Sequence, residues 1–157
     1  MSNFTHINEK NNPKMVNVSD KKITKRTAIA KATMFLGTEI ISQFTNDELF
    51  TKKGPVFQTA IIAGIQGVKK TSDIIPMCHP LLINGVDIDI SVIDDLHIEV
   101  TCKVTIEGKT GVEMEALTGA SATCLTIYDM CKAISQDMVI KELKLVEKTG
   151  GKSDIKK

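Results

Sequence analysis

Order in the hydrophobic pattern begins at Lys22. Residues 1–20 are polar, rich in Asn and Lys and without sustained periodicity, which predicts a flexible N-terminal arm with a short strand at Met15 to Val18. Between Lys22 and Leu36, Ala28, Ala30, Ala32 and Met34 alternate with Thr27, Ile29, Lys31 and Thr33. That period of two predicts a strand, although the alanines leave helix as a competitor. Thr38 is placed to cap a short helix through Ile40, Ile41 and Phe44. After the turn Thr51-Lys52-Lys53-Gly54-Pro55, the residues Phe57, Ala60, Ile61, Gly64, Ile65 and Val68 have helical spacing, with Pro55 suited to the first turn. Pro76 and Pro80 keep Met77-Cys78-His79 out of helix, as a short stiff connector.

Strict alternation returns from Val86 to Val92 and from His97 to Ile106, with Asp94-Asp95 as the turn signal of an antiparallel hairpin. Val112 to Ile134 is rich in Ala, Leu and Met and predicts a long helix, apolar on most faces and therefore buried. Met138 to Ile140 and Leu143 to Val146 read as a last strand before a flexible Gly/Lys tail, 149–157. The order strand, helix, helix, strand, strand, helix, strand predicts an α+β chain: a ferredoxin-like βαββαβ arrangement with an antiparallel sheet and an extra helix. It forms a single domain over 21–148, between the arm at 1–20 and the tail. Helices on one sheet face leave the other to be covered by oligomerisation.

Composition narrows the class. A chain of 157 residues, 42% hydrophobic and 25% charged, is that of one globular domain. At this size about 68–70% of the unfolded surface can be buried, so neither a disulfide nor a structural metal is needed. A formal charge of +1, aromatics at 4% and no Trp argue against a nucleic-acid partner. With no long apolar window and no apolar signal segment, no membrane association or secretion is expected. Four cysteines without a C-x-x-C pair, and three histidines without ligand spacing, predict a reduced cytoplasmic protein with no metal site.

The candidate chemistry lies mainly on the long helix and the connector. Asp129 and Lys132 are three apart, on one face and about 4.5 Å apart along a helix axis. Their neighbours Ile127, Tyr128, Met130, Cys131 and Ala133 predict an oily setting, where a charged pair is costly and rarely idle; the competing reading is a plain surface ion pair. Glu113 and Glu115 open the same helix, where carboxylates also suit the helix dipole. In a straight helix Asp129 would lie about 21 Å beyond Glu115 along the axis. Either the helix breaks near Gly119, the ligand is long, or two subunits build the pocket. His79 sits in the rigid connector beside Cys78, whose thiol has no evident activating partner. Lysines 52, 53, 69, 70, 109, 132 and 148 gather at element ends, and a solvated charge run is the plain reading of 52–53 and 69–70. Gly108-Lys109-Thr110 is no phosphate loop, because Lys103 stands where the pattern needs glycine.

Read together, Ile75-Pro76-Met77-Cys78-His79-Pro80-Leu81, Gly108 to Leu117 (GKTGVEMEAL) and Thr126 to Ala133 (TIYDMCKA) closely resemble the molybdenum cofactor biosynthesis protein C family, the cyclic pyranopterin monophosphate synthases. The likeness runs from Thr5-His6-Ile7-Asn8-Glu9-Lys10 through Ala63-Gly64-Ile65-Gln66 to Gly150-Gly151-Lys152-Ser153. It implies a homohexamer, a trimer of dimers, with active sites between subunits. It also implies conversion of a cyclised 7,8-dihydroguanosine triphosphate, supplied by a radical S-adenosylmethionine enzyme, to cyclic pyranopterin monophosphate and pyrophosphate, with no cofactor. On this resemblance Asp129 and Lys132 look like the catalytic pair and Lys53 like a further acid or base. Met77, Cys78, His79, Met114 and Glu115 look like substrate contacts, with Glu113, Lys69 and Lys148 as additional pocket positions. The competing class is a non-catalytic nucleotide-phosphate binding or scaffold protein, in which Asp129 and Lys132 are structural ions.

Overall fold

The computed structural model describes residues 6–157. The elements are β1 (Thr24–Phe35), α1 (Thr38–Ile41), β2 (Phe50–Thr51), β3 (Gly54–Pro55), α2 (Val56–Lys69), α3 (Thr71–Ile74), β4 (Gly85–Val92), β5 (His97–Gly108), α4 (Glu113–Cys131), β6 (Val139–Thr149) and β7 (Ile155–Lys156). The chain is α+β. Five strands form one antiparallel sheet in the order β4-β5-β1-β6-β7, and β2 pairs with β3 in a separate small hairpin.

The alternation in β1 resolves as a strand because it lies between two partners. Ala28, Ala30, Ala32 and Met34 point to the core opposite Val104, Cys102, Val100 and Ile98 of β5. Small alanines in the central strand let α4 lie close to the sheet. The approach is closest at Gly119, where an added Cβ would lie 2.6 Å from Val68 Cγ2 of α2 and 2.7 Å from Cys102 Sγ of β5. Glycine inside a helix costs about 1 kcal/mol relative to alanine, so its presence here answers to packing. Hydroxyls return to the backbone along α4: Thr123 donates to Gly119 O at 2.9 Å, Ser121 to Leu117 O and Thr126 to Ala122 O at 2.8 Å. The helix nevertheless runs unbroken through Gly119 from Glu113 to Cys131.

Several expectations change. Met15 to Val18 pairs with no strand among the described residues, so the arm has no strand there; its structured part is a turn in which Asn8 Oδ1 accepts from Lys10 and Asn12 N–H at 2.9 Å. Residues 1–5 of the arm lie outside the described residues. The first short helix is capped by Gly37, at φ 83, rather than by Thr38, whose side chain makes no cap. The tail from 149 folds back: Glu147 and Lys148 pair with Lys156 and Ile155, and Gly150 N–H donates to Asp154 Oδ1 at 3.0 Å. Helix α4 is not buried on most faces. Its core stripe is Glu115, Ala116, Gly119, Ala120, Thr123, Cys124, Ile127, Met130 and Cys131, while Leu125 and Asp129 face out.

Gly119→Val should force Val68 and Cys102 apart and destabilise the fold by about 1–3 kcal/mol, the usual cost of overpacking. Gly85→Ala, where nothing lies within 4 Å of the added carbon, should leave stability nearly unchanged. Urea denaturation of both variants measures the difference.

Candidate active site

The residues read from the sequence fall into two groups at opposite ends of α4. At the C-terminal end, Asp129 sits between two amines. Lys132 Nζ lies 2.7 Å from its Oδ1 and Lys53 Nζ 2.8 Å from its Oδ2, with Lys53 also donating to Asp129 O at 3.0 Å. Lys53 arrives from the β2-β3 hairpin and Lys132 caps α4, so two segments meet at one carboxylate.

The expected oily setting is not there. In the single chain the Lys53, Asp129 and Lys132 side chains are 52%, 55% and 51% exposed, because the core stripe passes along the other side of the helix end, through Ile127, Met130 and Cys131. Hydrogen bonds from Lys132 and then Lys53 hold the Asp129 carboxyl at about 2. The hydrogen bond to Asp129 raises the Lys132 amine above its ordinary value, whereas burial would have lowered it. At neutral pH the group is thus a carboxylate and an ammonium, each held in its charged form by the other.

At the N-terminal end of α4, the connector and the helix start form a cleft of about 290 Å³ lined by Met77, Cys78, His79, Glu113, Met114 and Glu115. Described residues of the arm, His6, Val16, Val18 and Lys21, close its other side. The short apolar run Met15-Val16-Asn17-Val18 read as a strand, and nothing local in it marks a contact with residues some sixty and a hundred positions further on. Glu115 is only 4% exposed, and burial pushes its carboxyl up, helped by the charge of Glu113. Cys78 is also pushed up, by burial and then by Glu115, so the thiol is not a ready nucleophile. Burial raises Cys102 to about 12 and Cys124 to about 11, as expected of packing residues.

Lys148 of β6 pairs with Glu113 at 3.0 Å, which brings it to the edge of this cleft. Lys69, at the end of α2, is exposed and reaches neither group. No cluster of three or more metal-ligating side chains exists among the described residues, nor any helix long and apolar enough to cross a membrane. Sequence reasoning missed Glu48, whose carboxylate accepts from Phe57 N–H at 2.8 Å and Gln58 N–H at 3.1 Å at the start of α2. Nothing local marks it, because its partners are nine and ten residues away.

A MoaC family model matches residues 15–151, through the connector, both ends of α4 and β6. The chain belongs to the MoaC family. A cyclic pyranopterin monophosphate synthase of Lysinibacillus sphaericus is 55% identical over 158 residues, which is 98% of this chain and 96% of that protein. A molybdenum cofactor biosynthesis bifunctional protein of Synechocystis is 51% identical over 97% of this chain and 45% of its own length. For molybdenum cofactor biosynthesis protein 1 of Dictyostelium discoideum the identity is 50%, over 96% of this chain and 26% of that protein. The chain therefore spans less than half of the two longer relatives and nearly all of the shorter one. Identity at this level covers both groups at the ends of α4.

The raised Glu115 carboxyl sets a pH dependence. A carboxyl whose folded value lies above its ordinary 4.5 supports the fold fully at pH below that value and loses that support as pH rises through the raised one. Glu115→Gln, which does not ionise, should gain stability relative to the native chain over that rise, as read by urea midpoints measured from pH 4 upward.

Proposed function

We propose that the chain converts a cyclised 7,8-dihydroguanosine triphosphate to cyclic pyranopterin monophosphate with release of pyrophosphate, a step of molybdenum cofactor biosynthesis. The observation that carries this reading is the convergence of Lys53 and Lys132 on Asp129 in a chain of the MoaC family. Opening a purine ring and closing a pyranopterin ring needs several proton transfers, for which positioned ammonium and carboxyl groups are suited. Attack of a sugar hydroxyl on the α-phosphorus expels pyrophosphate, and the lysines stabilise the negative charge as it develops. Lys132 and Lys53 serve as proton donors and cations, with Asp129 as the group that orients both. Met77, Cys78, His79, Met114 and Glu115 hold the substrate, Glu113 and Lys148 complete the pocket, and Lys69, which reaches neither group within one chain, joins it from another subunit.

The fold belongs with ferredoxin-like βαββαβ chains. Supporting this, once the two-residue strands are set aside the sheet runs second, third, first, fourth in chain order. The active site lies between subunits of a homohexamer, a trimer of dimers. Supporting that, α4 is unbroken, so its two groups stay about 21 Å apart along the axis and cannot meet at one reacting atom. A radical S-adenosylmethionine enzyme supplies the substrate, and free thiols at all four cysteines suit a cytoplasmic setting.

Incubation with the cyclised triphosphate should release pyrophosphate and the pterin product. Lys132→Ala or Asp129→Ala should lower the rate by about 10²–10⁴-fold, the usual contribution of a positioned acid or base, without changing assembly mass. Binding without turnover would instead favour a nucleotide-phosphate scaffold. Mixing Asp129→Ala chains with His79→Ala chains under subunit exchange should restore activity that neither has alone. Continued inactivity of well-exchanged mixtures would argue against a shared site.

A further inference from the structure

The tip that presents Lys53 has no core of its own. Its hairpin is two residues on each side, Phe50–Thr51 against Gly54–Pro55, with Phe50 mostly exposed and Lys52 and Lys53 at the turn. Two-stranded hairpins this short do not hold their shape alone in water, so its neck must be fixed from outside. The neck is Glu48 and Leu49. Glu48 Oε1 accepts from Leu49 N–H at 2.8 Å and from Phe57 N–H at 2.8 Å, while Oε2 accepts from Gln58 N–H at 3.1 Å. Leu49 O accepts from Val56 N–H at 2.9 Å, and the Leu49 side chain is 2% exposed. The first three N–H groups of α2 are therefore all taken by the residues just before the hairpin, although Pro55 offers no side-chain cap.

A tight turn aims Glu48 inward. Asn46 and Asp47 both have positive φ, 52 and 60, and Thr45 and Glu48 exchange backbone hydrogen bonds at 2.8 and 3.1 Å. Glu48 is also close enough to Cys131, the last residue of α4, to help burial push that thiol up to about 11. One carboxylate thus lies near the start of α2, the end of α4 and the neck of the hairpin that carries Lys53 to Asp129.

We infer that Glu48 is a positioning residue for Lys53, holding the hairpin in the one orientation that sets the amine against Asp129. The inference rests on the proposed role of Lys53 for its catalytic meaning, and on geometry alone for the rest. A plain cap of α2 would stabilise the helix; a positioning residue also changes what Asp129 feels.

The experiment measures the Asp129 carboxyl titration by carbon-13 NMR, together with turnover of the cyclised triphosphate, in the native chain, Glu48→Ala, Glu48→Gln, Lys53→Ala and the Glu48→Ala/Lys53→Ala pair. Asp129 should rise from about 2 toward 3.8 in Glu48→Ala, in the same direction as in Lys53→Ala, and the double variant should match Lys53→Ala alone. Glu48→Gln keeps one carbonyl acceptor and should show a smaller rise. Glu48→Ala should lower kcat by about 10- to 100-fold, the scale of a misplaced group, with little change in KM and no further loss when Lys53 is already alanine. A folded Glu48→Ala with native Asp129 titration overturns the inference, as does an equal loss of kcat with and without Lys53. If Glu48→Ala does not fold, Glu48→Gln decides: a rise supports the inference and a native titration overturns it. If the native chain turns nothing over while Asp129 still responds to Glu48→Ala, the proposed reaction fails and the positioning role stands.

Discussion

Helix α4 holds Glu113 and Glu115 at one end and Asp129 at the other, and nothing along its 19 residues lets those ends approach. The one residue that could weaken it, Gly119, is held against Val68 and Cys102, and the Thr123 hydroxyl closes back on the Gly119 carbonyl. A separation of about 21 Å along the axis between Glu115 and Asp129 is thus a fixed dimension of the protein. Of the three ways a chain could reconcile these residues, bending the helix is removed. What remains is a long ligand or a second copy, and the proposed site between subunits takes the second.

The same geometry explains why the acid–base group is exposed in a single chain. Asp129 and its two lysines sit where α4 runs out of core, so solvent screens them, and their mutual attraction there is modest. Covering this end with substrate or with another subunit changes both terms. Lower dielectric strengthens every ion pair within the group, while desolvation pulls lysine values down, against the upward pull of Asp129. A triphosphate adds negative charge and keeps the ammonium protons in place. On the proposed mechanism the lysines are loaded with protons before the ring chemistry begins, and the substrate's own charge decides when they are released.

How much of this was legible in the sequence depends on whether the signal was local. The period of two in Ala28 to Met34 and the two alternating runs around Asp94 gave β1, β4 and β5, because each side chain's face is settled within its own strand. The Asp129–Lys132 pair was legible from its helical spacing, whereas the place of Lys53 beside it was legible only through family resemblance. Their exposure was misjudged because neighbours in sequence on a helix lie on different faces: Ile127 and Met130 are buried, and Asp129 between them is not. The folded-back tail escaped notice because Ile155 and Lys156 form a strand only against Lys148 and Glu147, a long-range pairing with no pattern of its own. Glu48 escaped for the same reason, since its meaning lies in backbone N–H groups across the hairpin.

The two carboxylic acids at the ends of α4 show why one helix carries both. Burial pushes Glu115 up, and paired lysines push Asp129 down to about 2. One helix thus places its two carboxyls in environments of opposite effect, burial at one end and paired ammonium groups at the other. Glu115 is buried beside a thiol and a second carboxylate, and burial followed by the charge of Glu113 is what raises it. Asp129, held at about 2 by its two lysines, is an anion at neutral pH. On the proposed inter-subunit mechanism the cleft of one copy faces the lysine end of another, and the negative charge that develops on the departing pyrophosphate is stabilised by the lysines.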